Sequence, residues 1–119
     1  MKHYLFVITL LFFLASCEKS SDYLIPESEV PEWLKTSIAQ DKKTLESDPR
    51  SSLGISAWIR TEYKGDYYFE FINLLSSAGP RTYKSDGTEF MYTDNGFMDY
   101  QSGKCCKVYV WKGPDYFKD

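Results

Sequence analysis

The chain has 119 residues, with 14 Lys and Arg against 17 Asp and Glu, one His and a net charge of −3. A mildly acidic chain without a basic block is excluded as a nucleic-acid binder, because neutralising phosphates takes clustered Lys and Arg. The lone histidine, His3, stands at the extreme N-terminus, so histidine metal chemistry has no second imidazole to use, and no cofactor motif occurs.

Taken in order, the chain opens on Lys2 and His3, followed by an apolar run from Tyr4 to Leu14. That run is too short for a permanent membrane helix, which needs about 20 apolar residues, and has the build of an export signal. It ends in Leu14-Ala15-Ser16-Cys17, which resembles the lipobox of bacterial lipoproteins. The resemblance implies that residues 1–16 are a signal peptide removed before Cys17. It also implies that the Cys17 thiol is joined to diacylglycerol and that the new N-terminus is acylated. Each buried methylene contributes about 0.8 kcal/mol, and two or more acyl chains hold a protein stably on a bilayer where one does not. Loss of the leader removes His3, so Ser-His-Asp and Cys-His catalysis are excluded from the mature chain. In Gram-negative lipoproteins an aspartate behind the lipidated cysteine signals inner-membrane retention. Glu18 stands there instead, so the outer membrane is expected, on its periplasmic side or at the cell surface.

Residues 17–30 read as an acidic tether. Glu18, Asp22, Glu27 and Glu29 alternate with serines and Pro26, a composition that stays solvated. Extended, the stretch behind Cys17 would reach at most roughly 45 Å. Residues 31–119 are expected to form one domain with a modest core. Aromatic residues make up 18% of the chain, and large rings bury much area each.

A helix is predicted over Pro31 to Glu46. Proline suits the first turn, Glu32 complements the helix dipole, and Leu34, Ile38 and Leu45 share a face with Trp33 at its edge. Ser47-Asp48-Pro49 ends it. Antiparallel strands follow. Residues 55–62 and 67–72 alternate about Lys64-Gly65-Asp66 and read as a hairpin. Arg81–Lys84 and Glu89–Thr93 flank Ser85-Asp86-Gly87-Thr88 as a second hairpin. Asp94-Asn95-Gly96 turns before a strand over Phe97–Tyr100, and Lys104 to Trp111 is the last strand. The expected fold class is α+β: one N-terminal amphipathic helix packed on an antiparallel sheet of four to five strands. The other face of the sheet would be left toward solvent or a partner.

In outline this order is similar to cystatin-type or inhibitor-like α+β lipoproteins. Tyr63-Lys64-Gly65-Asp66-Tyr67-Tyr68 and Tyr83-Lys84-Ser85-Asp86-Gly87 resemble stretches of small Bacteroidota lipoproteins. These resemblances imply a non-catalytic protein, binding or inhibitor-like, with no catalytic signature to carry over. The competing expectation is a structural or assembly subunit of an envelope complex. A carboxylate-based hydrolase is the third class.

Three constellations are candidates for chemistry. Trp58, Tyr68, Tyr109 and Trp111 are expected on the non-core face, interleaved with Arg60, Glu70 and Lys107, either as a platform for a protein or glycan partner or as stabilising cross-strand pairs. Cys105 and Cys106 form a vicinal thiol pair in an oxidising compartment. A regular strand would send them to opposite faces with Cys106 buried beside Val108 and Val110, whereas a vicinal disulfide requires a distorted strand start. A bridge to another chain is the remaining pairing, and two thiolates alone are too few for a metal. Asp86, Glu89, Asp94 and Asp99 gather acid at a loop end, either as a calcium site or glycosidase-like carboxylate pair or as turn residues, since Asp-Gly and Asn-Gly are ordinary in turns and the calcium-loop spacing is absent.

Overall fold

The computed structural model describes residues 22–76 and 79–116. Cys17 and the signal peptide lie outside these residues. The fold is α+β, with helix α1 over Glu32–Ser47 and helix α2 over Phe97–Gly103. Strands are β1 Ser56–Tyr63, β2 Asp66–Asn73, β3 Arg81–Lys84 and β4 Cys105–Lys112. Every pairing is antiparallel, in the order β3-β2-β1-β4. β1 to β3 run as a meander, and β4 then returns to the far side of β1.

Helix α1 begins where its sequence says it should. The carbonyl of Pro31 accepts from the amides of Leu34 and Lys35, and Asp48, the residue before Pro49, caps the other end in a non-helical conformation. Its buried residues are Leu34 and Ile38, which meet Trp58, Phe69, Val110 and Trp111 from the sheet. Trp33 lies edge-on to Trp58 and Phe69, at ring centroid distances of 6.0 and 5.8 Å. Its indole N–H donates to the Ser85 carbonyl at 2.8 Å, pinning the helix to the turn after β3. In that turn Gly87 has φ +92° and a Cβ there would stand 3.2 Å from the Trp33 ring, so both conformation and space call for glycine.

The β1–β2 hairpin turns on Lys64 and Gly65, with φ of 50° and 83°. Positive φ at both central residues matches the two-residue turn whose twist suits antiparallel strands.

Several expectations need correction. The helix is not the first structured segment: residues 22–30 of the supposed tether belong to the fold. Ile25 and Val30 are buried in the core cluster. Leu24 N–H donates to the Val110 carbonyl, and Glu29 holds Arg60 at 2.7 Å. The acidic composition concealed two apolar anchors placed five residues apart. Residues 97–100 form the start of α2 and not a strand. Four residues are too few to separate a period of 2 from one of 3.6, and the left-handed Gly96 that precedes them leads equally well into a helix. The second hairpin reduces to a bridge between Tyr83 and Glu89, with Phe90 N–H donating to the Thr82 carbonyl. Finally, the second face of the sheet is covered. Tyr100 of α2 is fully buried on it, with Phe90 alongside.

Candidate functional site

The covered second face is where polar chemistry concentrates. Thr61 of β1, Glu70 of β2 and Thr82 of β3 are all buried. Their even spacing across paired strands puts them on the α2 side, since Thr61 pairs with Tyr68 and Glu70 with Thr82. The Tyr100 hydroxyl donates to Glu70 Oε2, and Lys104 Nζ donates to the same oxygen at 2.8 Å. Having spent its proton on the carboxylate, the Tyr100 oxygen accepts from Thr61 Oγ1 at 2.8 Å. Burial, reinforced by the bond to Glu70, pushes the Tyr100 phenol well above its ordinary value. A buried carboxylate with a cation and a hydroxyl donor on it is a satisfied structural network.

Thr82 is not satisfied. It is 2% exposed, and its Oγ1 has no hydrogen-bond partner among the described residues. It lines a groove of about 640 Å³ at the β3 edge of the sheet. Apolar walls come from Phe71, Phe90, Met91, Tyr92 and Phe97, and the polar lining includes Arg81, Glu89 and Gln101. Asn73 also faces it, but its side chain is occupied, donating to the Ser52 carbonyl and accepting from the Leu75 amide. Tyr92 is 76% exposed and Met91 about half exposed, so the groove opens onto a rim of uncovered apolar surface. The volume falls within the range of small-ligand sites, about 300–1,000 Å³. A buried hydroxyl left without a partner costs free energy, and the groove beside it offers room for one.

The four aromatic residues expected to share one face do not share it. Trp58 is 5% and Trp111 7% exposed, both in the core beneath α1, where the Trp58 indole N–H donates to Asp41 Oδ2 at 3.3 Å. Burial raises the Asp41 carboxyl above its usual range, against the opposing pull of that hydrogen bond. Tyr68 lies on the opposite face, its ring 4.7 Å from that of Tyr100. Tyr109 stacks edge-on with Tyr116. Tyr68 is separated by the hairpin register, in which it pairs with Thr61 while Trp58 pairs with Phe71, and Tyr109 by a β-bulge: Trp58 pairs with Trp111, but Ile59 pairs with Tyr109. The extra residue, Val110, breaks the period of 2, so Val110 and Trp111 both turn to the core. β1 itself is covered on both faces, which removes the alternation from which the non-core face was read.

Cys105 and Cys106 are joined as a vicinal disulfide with Cα atoms 3.7 Å apart. Both are exposed, so the expectation of a buried Cys106 is corrected. The strand start is distorted as such a bond requires. Cys106 has φ +66°, and a second register shift leaves Glu62 paired with Cys105 after Arg60 has paired with Val108. Two of the acidic loop residues serve turns: Asp86 accepts from the Thr88 amide and Asp94 from the Met91 amide, whereas Glu89 bridges to Tyr83 and Asp99 stands in the first turn of α2. Among the described residues no cluster of His, Cys, Asp or Glu is arranged to hold a metal, and no helix is long and apolar enough to cross a membrane.

Reasoning from sequence missed the groove. Its one mark in the chain is Thr82, a polar residue on the inward side of a short strand, which carries no signal until its partners are known. Compared with protein-family models, curated proteins and solved structures, the chain matches none.

Proposed function

We propose that this protein is a lipid-anchored, non-catalytic binding module of the cell envelope, held through Cys17 in the outer membrane, and that it captures its ligand in the groove at the β3 edge. The observation that carries the reading is the unpaired, buried hydroxyl of Thr82, a residue of the groove wall. The lining favours a short glycan. Flat rings at Phe71, Tyr92 and Phe97 offer stacking surfaces, while Thr82, Arg81, Glu89 and Gln101 offer donors and acceptors to sugar hydroxyls. Glu89 is the only carboxylate among the described lining residues, whereas glycoside hydrolysis generally uses two.

The test is a glycan array probed with the purified full chain and with Thr82→Val and Tyr92→Ala. Binding of a discrete glycan set by the wild type, lost in both variants, supports the reading. An array blank with wild type, or unchanged in both variants, removes it.

The assembly-subunit reading draws on a different observation. Leu74 and Leu75 are exposed beside the groove residues Asn73 and Ser76, and Met91 and Tyr92 are exposed on its rim. Uncovered apolar side chains of this kind mark protein contacts. A stable stoichiometric partner recovered from detergent-solubilised membranes, and released by Leu75→Ser, would favour assembly over ligand capture.

A further inference from the structure

We propose that the Cys105–Cys106 bond is a thiol-exchange site, opened by a dithiol, whose reduction loosens α2. Three observations converge on it. The first is access: both cysteines are exposed, so a reductant reaches the sulfurs without unfolding the domain. The second is the backbone. Cys106 sits at φ +66° inside a register shift, a conformation that side-chain-bearing residues seldom adopt. Closure of the ring between adjacent cysteines holds it there. With the ring open, Cys106 is free to return to the extended region and the start of β4 to re-pair with β1.

The third observation is what lies immediately upstream. Lys104 closes α2, its amide donating to the Tyr100 carbonyl at 2.9 Å. Its ammonium holds Glu70 at 2.8 Å. Tyr100 in turn donates to Glu70 and accepts from Thr61. The peptide that leads into the disulfide ring therefore also positions the cation of the buried network. A shift of the Cys105 backbone moves Lys104 before any other contact, and Lys104 is what ties the end of α2 to the sheet.

The exchange balances with a dithiol as co-reactant. One of its thiolates attacks Sγ of Cys106. The sulfur–sulfur bond breaks, and its electron pair leaves on Sγ of Cys105, which takes up a proton. The second thiolate then attacks the reagent's sulfur in the mixed disulfide. This releases Cys106 as a thiol after protonation and leaves the reagent as its own disulfide. Two electrons pass to the protein, and two protons end on its cysteines.

Thiol exchange at this bond needs no ligand in the groove. Its test is amide hydrogen exchange of the full chain with and without dithiothreitol, with alkylation read on the peptide that holds both cysteines. Reduced protein should carry two labels on that peptide and exchange the amides of residues 97–104 about tenfold faster, with α1 unchanged as internal reference. The Cys105→Ser/Cys106→Ser double variant should exchange at the reduced rate under both conditions. Equal exchange of residues 97–104 in oxidised and reduced wild type would overturn the proposal, as would a peptide that takes no label while the protein remains folded in dithiothreitol.

Discussion

Glu70 on β2 and Thr82 on β3 stand directly opposite each other, at 1% and 2% exposure, and only Glu70 is satisfied. Its carboxylate receives Tyr100 and Lys104, while the Thr82 hydroxyl receives nothing. Under the proposed binding role, the contrast separates a group kept for the fold from one kept for a ligand. Replacing Thr82 by the isosteric Val removes a buried polar atom that has no partner. The variant should be as stable as wild type or up to about 1 kcal/mol more stable, while losing ligand binding. Thermal melting beside the array checks both halves. A variant destabilised by more than that figure would mean the hydroxyl is bonded in the free protein.

The network around Glu70 should behave as a unit. Lys104→Met leaves a buried carboxylate with Tyr100 as its main donor. The expected cost is about 2–3 kcal/mol, below the roughly 3–5 of a fully buried pair, because the Lys104 side chain is 25% exposed. Tyr100→Phe should cost about 1–3 kcal/mol by withdrawing the hydroxyl from both Glu70 and Thr61. Denaturant melts of the single variants and of each paired with Glu70→Gln measure the coupling. Purely additive losses would disconnect the three residues.

Two titrations pull stability in defined directions. Burial raises the Asp41 carboxyl in the folded state, so the folded protein holds that proton more tightly than the unfolded chain. Stability from this group is therefore greatest below the ordinary aspartate range and declines as pH rises from about 4 toward the raised value. Asp41→Asn keeps an acceptor for Trp58 and removes the ionisation. It should melt higher than wild type at pH 7, with the difference shrinking toward pH 3. Tyr100 is likewise raised. The unfolded chain starts to lose its phenolic proton near pH 10 while the folded state keeps it, so stability should fall above that pH and fall less in Tyr100→Phe. Melting profiles across pH read both slopes.

The bulge at Val110 predicts unequal losses along one strand. Trp111→Ala should cost about 3–5 kcal/mol, the scale for a large core ring. Tyr109→Ala, a half-buried change on the other face, should cost less than half as much. Equal costs would return the two to a single face and contradict the register shift.

What could be read in advance was whatever local chemistry decides. Pro31 and Asp48-Pro49 bracket α1 by backbone geometry alone, and Lys64-Gly65 sets the first hairpin by its tolerance of positive φ. The missed features are long-range. Whether Val110 or Trp111 is the extra residue opposite Trp58 depends on pairing that no window of the chain contains. Ile25 and Val30 look isolated until α1 and β4 come together over them. Tyr100 looks like the end of a strand until Glu70, thirty positions earlier, supplies its partner. The disulfide stood among the alternatives because adjacency is legible. That both cysteines are exposed goes with the second register shift, between Arg60 and Glu62, which no window of the chain contains.

Because residues 22–30 are built into the fold, any leash to a membrane would be far shorter than its composition suggests. If Cys17 carries the lipid as proposed, only five peptide steps separate it from Asp22, a span of at most about 17 Å. The body would then skim the bilayer rather than roam the compartment. The incoming chain runs along the outer side of β4, where Leu24 meets Val110, and the groove opens at β3, three strand spacings or about 14 Å across the sheet. A molecule standing so close to its membrane would present the groove from the margin farthest from its own mooring.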